Sequence, residues 1–72
     1  MKELFIKEEI IRLDSALKFS GTVGTGGQAK IIIQEGLVKV NGEICTMRGK
    51  KLYKGDKFEF EGNVFVIKNE GK

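Results

Sequence analysis

The sequence predicts an α+β fold in which two short helices, joined by a helix-turn-helix-like turn, pack on a small antiparallel β-sheet. Apolar residues recur at helical spacing in the first half of the chain and alternate with polar residues in the second half. Glycine-containing turns separate the alternating segments. With 72 residues, the chain is expected to form one small domain over residues 1–72 with a lean core.

The chain is expected to begin with a strand at residues 3–6 (ELFI), which Ile10-Ile11 would extend or pair with. The segment 13–20 (LDSALKFS) follows, and its apolar residues share one helical face, with polar residues in the first turn. Gly21 is the predicted end of this helix. Because the helix is only about two turns long, its stability must come from packing.

A second helix is predicted in residues 28–36 (QAKIIIQEG), although three consecutive isoleucines favour a strand by propensity. Both ends carry helix boundary signals. Thr25 and Gln28 form the T-x-x-Q pattern of a capping box, and Gly36 stands where a left-handed residue commonly ends a helix. These signals favour the helix.

The remainder is predicted to be β-structure. Asn41-Gly42 lies between LVKV and EICT, and this dipeptide favours a two-residue type I′ hairpin turn. A basic connector, residues 47–51 (MRGKK), leads to Leu52-Tyr53 and a turn at residues 54–56. VFVI would form the last strand. Alternation assigns most of four aromatic side chains to the core, namely Phe5, Phe58, Phe60 and Phe65.

The charge is unevenly distributed along the chain. Residues 12–57 hold nine bases and four acids, a net charge of +5, whereas the two ends together carry −2. A basic field in the middle of a small domain favours polyanionic partners. A charge run such as residues 48–51 is also commonly just a solvated loop, so composition alone leaves both interpretations open.

Several classes of function are disfavoured. The chain has no histidine, so the usual general base near neutral pH is missing, and its single cysteine, Cys45, offers neither an internal disulfide nor a metal-ligand cluster. The N-terminal segment resembles neither a signal peptide nor a membrane span. The expectation is a reduced, cytoplasmic, monomeric protein without catalysis, cofactor, metal, membrane contact or small-molecule substrate.

The glycine-rich stretch GTVGTGGQAK raises the question of a nucleotide loop. Residues 24–29 match G-x-G-x-x-G/A, but the strand and βαβ unit that this fingerprint needs are not predicted around it. A capping box explains Thr25 and Gln28 but not the glycines at positions 26 and 27, which weaken a helix. Bare backbone at a helix N-terminus lets a phosphate approach closely, with Lys30 one turn further on.

Three segments together resemble the S4-like RNA-binding domain family. They are RLDSALKFSG, TGGQAKIIIQEGLVKVNGE and YKGDKFEFEG, with the pattern running from about residue 12 to residue 61. The forms GGQAK and RGKKLYKGD are similar to the small free-standing bacterial members, the YaaA/YbcJ-like proteins. The resemblance implies an αL motif, in which two helices and the adjoining loop form a positive face against structured RNA, either ribosomal or transfer RNA.

The resemblance also implies where RNA would bind. Most members of the family carry Ser-Arg where this chain has Gly26-Gly27, so a backbone contact would replace an arginine contact there. With the basic connector and the lysine that follows it, the predicted RNA-binding residues are Arg12, Lys18, Gly26, Gly27, Lys30, Arg48, Lys50, Lys51 and Lys54.

The leading functional hypothesis is an accessory factor that binds ribosomal RNA, possesses no catalytic activity, and acts in ribosome assembly, maintenance or regulation on the ribosome or its assembly intermediates. One alternative is a protein–protein adaptor that uses an exposed patch around Phe19 and Tyr53. A nucleotide-binding enzyme fragment is a third, which the absence of a strand before the glycine stretch disfavours.

Overall fold

The computed structural model describes residues 1–70 and contains two helices and seven strands. The elements in chain order are β1 (Lys2–Ile6), β2 (Ile10–Arg12), α1 (Leu13–Phe19), α2 (Gly26–Gln34), β3 (Val38–Val40), β4 (Glu43–Ile44), β5 (Lys51–Tyr53), β6 (Lys57–Phe60) and β7 (Asn63–Asn69). The predicted α+β class is confirmed, as are both helices.

The strands form a five-stranded sheet in the order β1-β7-β6-β3-β4 and a separate two-stranded ribbon, β2-β5. The large sheet is mixed rather than wholly antiparallel as predicted, because β1 runs parallel to β7. Parallel neighbours need a long crossover connection. Here nearly the whole chain, including both helices, lies between the two strands.

The second strand does not extend or pair with the first, which corrects the prediction for Ile10-Ile11. It pairs antiparallel with β5 instead, opposing Ile11 to Leu52. Leu52 is buried and Ile11 packs against the core, so this pair faces inward. Burial of these side chains explains why the chain leaves β1 and forms the ribbon.

Both helices end where glycine permits a left-handed backbone. Gly21 follows α1 with φ +82°, and Gly36 follows α2 with φ +78°. Three N–H groups after α2, from Glu35, Gly36 and Leu37, return to carbonyls of the helix. Within α2, Ile31 is exposed, Ile32 is half-buried and Ile33 is buried, because consecutive residues of a helix point in different directions.

The Asn41-Gly42 turn has φ of +51° and +88°, the two positive values of a type I′ hairpin, as predicted. The strand after it is shorter than expected, because β4 spans only Glu43–Ile44. It forms one edge of the large sheet.

Helices and sheet bury one common core. Its buried members come from both helices and from both sheets, and they include Leu13, Leu17, Ala29, Ile33, Val38, Leu52, Phe58 and Ile67. The rings of Phe58 and Phe65, which are cross-strand partners, stack with centroids 5.0 Å apart. As predicted for most of the four aromatic side chains, Phe58, Phe60 and Phe65 belong to the core or pack against it. Phe5 is the exception: it is 48% exposed, since it alternates with buried Leu4 and Ile6.

No helix within residues 1–70 is both long and apolar enough to span a membrane.

Candidate nucleic-acid interface

The β2-β5 ribbon brings basic residues from distant parts of the sequence together. Its register pairs Arg12 with Lys51, and side chains of directly opposed residues point to the same face. Because Ile11 and Leu52 face the core, Arg12 and Lys51 face outward. The next outward pair, Ile10 and Tyr53, extends the same face with two exposed apolar side chains.

The basic connector is fastened to the beginning of α1 through its backbone. The N–H of Leu13 donates to the carbonyl of Lys50 at 2.8 Å, and the N–H of Asp14 donates to the carbonyl of Arg48 at 3.1 Å. The first N–H groups of a helix have no acceptor within the helix. The Arg12 side chain at the N-cap position makes no capping hydrogen bond, so the connector carbonyls satisfy the N–H groups of Leu13 and Asp14, and the Asp14 carboxylate accepts from the N–H of Ser15 at 2.8 Å.

Arg12 completes this cluster of cations. Its guanidinium forms an ion pair with Asp14 at 3.0 Å while its side chain stays 54% exposed. A Cβ atom on Gly49 would lie 3.9 Å from the Arg12 Nη2 atom, so the guanidinium lies beside the connector backbone. We name the four exposed cations Arg12, Arg48, Lys50 and Lys51 the basic surface.

Lys18 lies in the last turn of α1 and is exposed. Together with Arg12 it lines a groove of about 890 Å³ between α1 and the β1–β2 segment. The groove therefore begins at Arg12, a member of the basic surface, and continues along α1 to Lys18.

The N-terminus of α2 is capped by the predicted Thr25–Gln28 pair, with one difference. The Thr25 hydroxyl oxygen accepts from the Gln28 N–H at 3.1 Å, as expected for a capping box. The Gln28 side-chain oxygen, however, accepts from the N–H of Gly24 at 2.8 Å rather than from Thr25. The glutamine thereby also holds the turn that precedes the helix.

The fold itself does not require glycine at positions 26 and 27. Neither residue has a positive φ, and a Cβ atom on Gly26 would meet no atom within 4 Å. On Gly27 it would meet only the Thr25 hydroxyl, at 3.8 Å, an ordinary contact. Lys30 is exposed and lies four residues after Gly26, hence on the same helical face.

Lys54 is exposed but lies apart from the basic surface. It follows Tyr53, the partner of Ile10, whereas Lys51 is the partner of Arg12. The ribbon thus separates Lys54 from Lys51 by three residues, roughly 10 Å of extended chain. The structure groups Arg12, Arg48, Lys50 and Lys51 and places Lys18 further along α1 in the wall of the groove. It places Gly26, Gly27 and Lys30 on α2 and leaves Lys54 at the far end of the ribbon.

The groove-lining residues that sequence reasoning missed include Phe5, Ile10 and Ser15. A signal for Phe5 was available, because strict alternation with Leu4 and Ile6 puts it on the opposite face from the core. Ile10 had no such signal, since its environment depends on pairing with a strand more than forty positions away.

An exposed set of cations, held by a small α+β scaffold around two packed helices, is typical of a nucleic-acid-binding module. The S4 domain family model matches residues 4–68. The chain belongs to this family of RNA-binding domains, as the sequence resemblance predicted.

Two curated relatives are similar over most of their length. The "Probable ribosome maturation protein RlbA" of Bacillus subtilis is 44% identical over 57 residues, which cover 79% of this chain and 80% of the relative. The "Putative RNA-binding protein YbcJ" of Escherichia coli is 39% identical over 57 residues, which cover 79% of this chain and 81% of the relative. The predicted likeness to small S4 proteins is therefore confirmed.

A solved structure supports the same fold. The solution structure of YbcJ from Escherichia coli superposes with a TM-score of 0.71 at 33% sequence identity, covering 94% of this chain and 87% of that one. That structure is described as revealing an αL motif involved in RNA-binding. The helix pair α1–α2 with its adjoining strands is the corresponding part of this chain.

Proposed function

We propose that this protein binds structured RNA, specifically ribosomal RNA, and acts without catalysis as an accessory factor in ribosome assembly, maintenance or regulation. The observation that carries the proposal is the basic surface, whose cations are positioned by backbone hydrogen bonds and strand pairing rather than by chance proximity of flexible side chains.

Electrostatics explains why such a surface suits RNA. Each cation that contacts a phosphate releases condensed counterions, so affinity arises without sequence recognition and falls as salt rises. Double-stranded RNA offers mainly its backbone, its 2′-hydroxyls and its shape to a protein. Four neighbouring cations match a phosphate backbone, and Lys18, Gly26, Gly27 and Lys30 extend the proposed contact onto both helices.

The relatives support a ribosomal target and a non-catalytic role. One is named a ribosome maturation protein and another an RNA-binding protein. The family itself is an RNA-binding domain, and phosphate contact accounts for the exposed cations without any chemical step.

The direct test is a titration of the native protein with a ribosomal RNA fragment and with duplex DNA of equal length at two salt concentrations. The informative variant is Lys50→Gln with Lys51→Gln. Its matched control is Lys39→Gln with Lys57→Gln, which removes the same charge from the outer face of the large sheet. We expect only the first pair to weaken RNA binding and to lower the salt slope, by about one unit per lost phosphate contact.

Native protein that fails to bind ribosomal RNA even at low salt would overturn the proposal. Equal losses from the two lysine pairs would instead show that net charge, not the basic surface, drives binding. Crosslinking in cells followed by RNA sequencing tests the target, and we expect ribosomal RNA fragments to dominate the recovered reads.

A further inference from the structure

We propose that the groove between α1 and the β1–β2 segment binds one unpaired nucleotide of the RNA target, with its base against Phe19 and its phosphate at Arg12 and Lys18. This inference rests on the proposed RNA-binding function and specifies it: the preferred target would be a helix that carries an extruded or single-stranded nucleotide beside the paired region.

The groove has the size and the lining for such a ligand. Its volume of about 890 Å³ lies within the range of roughly 300–1,000 Å³ that small-ligand clefts occupy. Three of its lining residues, Phe5, Ile10 and Phe19, are large apolar side chains that remain exposed. Exposed apolar side chains around one cleft indicate a surface that a ligand covers.

Phe19 is the side chain best placed to hold a base. It ends α1 and remains 63% exposed, although its helix buries Leu13, Ala16 and Leu17. A flat ring at the mouth of a groove offers its π-face to any base, whatever its identity. Its chain neighbour Lys18 and the lining residue Arg12 supply the cations that a stacked nucleotide needs for its phosphate.

The charges of the groove give the ligand a direction. Arg12 precedes α1 and Lys18 lies in its last turn, so the two cations lie at the two ends of the α1 wall of the groove, whereas Glu8 lies in the turn between β1 and β2. Glu70, also in the lining, is held near that turn by its N–H, which donates to the Ile6 carbonyl at 2.8 Å. Lys7 adds one cation there, so the lining at the β1–β2 turn is net acidic.

This division of charge favours a phosphate beside α1, where Arg12 and Lys18 lie, and a base edge directed toward the glutamates of the β1–β2 turn. Carboxylates repel phosphate but accept hydrogen bonds from base amino groups. Adenine, cytosine and guanine carry such groups and uracil does not. The groove is therefore expected to prefer an unpaired adenosine over an unpaired uridine.

Continuity with the basic surface favours RNA over a protein as the occupant. Arg12 belongs both to the groove lining and to the basic surface. Ile10, another lining residue, lies on the same outward face of the ribbon as Arg12 and its strand partner Lys51. An RNA helix lying on the four cations would thus pass the mouth of the groove, where a nucleotide extruded from it could enter.

The experiment compares two RNAs by fluorescence anisotropy: a blunt-ended RNA duplex and the same duplex with one extruded adenosine. We expect native protein to bind the bulged RNA about tenfold more tightly, since stacking of one base contributes roughly that factor or more. Phe19→Ala should abolish this difference while leaving the affinity for the blunt duplex unchanged. Lys50→Gln with Lys51→Gln should weaken binding of both RNAs alike.

Two control variants and one altered RNA test whether the preference for the bulged RNA depends on the aromatic ring of Phe19 and on the extruded base. Leu37→Ala truncates another apolar side chain that is 52% exposed but does not line the groove, and it should leave the preference intact. Phe19→Leu keeps apolar volume without the aromatic face, so it should lose most of the preference with an unchanged melting temperature. Replacing the extruded adenosine with uridine should reduce the preference.

Native protein that binds both RNAs equally, or a Phe19→Ala variant that still prefers the bulged RNA, overturns this inference and leaves the proposed function standing. The first outcome is also the one expected if the groove binds a protein. Absence of binding to either RNA at low salt overturns the proposed function, and this inference with it.

Discussion

The side chains of Asn41 and Asp56 are hydrogen bonded to each other across two turns, with the Asn41 Nδ2 atom 3.2 Å from Asp56 Oδ1. The Asn41 amide oxygen also accepts from the N–H of Lys57 at 3.0 Å, and the second Asp56 oxygen accepts from the N–H of Tyr53 at 2.9 Å. Asn41 belongs to the G-L-V-K-V-N-G segment and Asp56 to the later G-D. Two of the three segments that carry the family resemblance are therefore linked by these hydrogen bonds, which we call the Asn41–Asp56 joint.

This joint predicts unequal effects of two substitutions at Asn41. Asn41→Gly keeps the positive φ of +51° but loses both side-chain hydrogen bonds, which should lower the free energy of unfolding by about 1–2 kcal/mol. Asn41→Ala also strains the left-handed backbone and should cost about 1 kcal/mol more. Thermal unfolding checks this, with a shift of about 4–8 °C per kcal/mol for a domain of this size.

Asn63→Ala is the matched control, since Asn63 is exposed and stands at the start of β7. Its melting temperature should stay close to that of the native protein. Native-like melting of both Asn41 variants would show that the joint contributes nothing to stability.

The glycines that begin α2 predict opposite effects on stability and binding. Gly26→Ala adds a Cβ atom that meets nothing within 4 Å, so the helix should become more stable by up to about 1 kcal/mol. The same atom would hold an RNA phosphate away from the backbone, and we expect affinity to fall several-fold. Gln34→Ala, at the other end of α2, should leave affinity unchanged; an equal affinity for Gly26→Ala would contradict the backbone contact.

The ribbon register predicts that two neighbouring lysines differ in their contribution to RNA binding. Lys51 opposes Arg12, whereas Lys54 lies beyond the last pair of the ribbon. Lys51→Gln should reduce RNA affinity and the salt slope by about one phosphate contact, and Lys54→Gln should reduce them less. The two variants remove the same charge. Equal losses of RNA affinity in the two, measured by salt titration, would therefore contradict the proposed position of the basic surface.

Two aromatic residues of the large sheet, Phe58 and Phe5, are expected to contribute very differently to the free energy of unfolding. Phe58 is 1% exposed and stacked on Phe65, so Phe58→Ala should lower the free energy of unfolding by about 3–5 kcal/mol. That is a large part of the stability typical of a small domain, about 0.05–0.15 kcal/mol per residue. Phe5→Ala, at an exposed position, should change it by less than about 1 kcal/mol. Urea denaturation measures both, and similar losses would refute the assignment of Phe5 to the surface.

Local patterns in the sequence were sufficient for the helices and the hairpin turn. Apolar spacing of 3 and 4 residues, the Thr25–Gln28 cap and Gly36 identified α2 despite its isoleucines, because these signals act between residues close in the chain. Asn41-Gly42 identified its turn for the same reason. The family could be recognised too, since its motifs are made of the turn and cap residues that local geometry demands.

The tertiary structure alone decided which strands are neighbours. It thereby decided which of the predicted RNA-binding residues lie together. Strands with similar alternation are interchangeable from local sequence, so nothing near residues 10–12 shows that they leave β1 for β5, or that β1 lies parallel to β7. The sequence predicted nine RNA-contacting residues, but their grouping depends on these long-range pairings. The sequence by itself determined the elements and their charges. Burial of Leu52, with Ile11 packed against the core opposite it, determined that Arg12 and Lys51 face outward together, because a slip by one residue would turn those apolar side chains toward water.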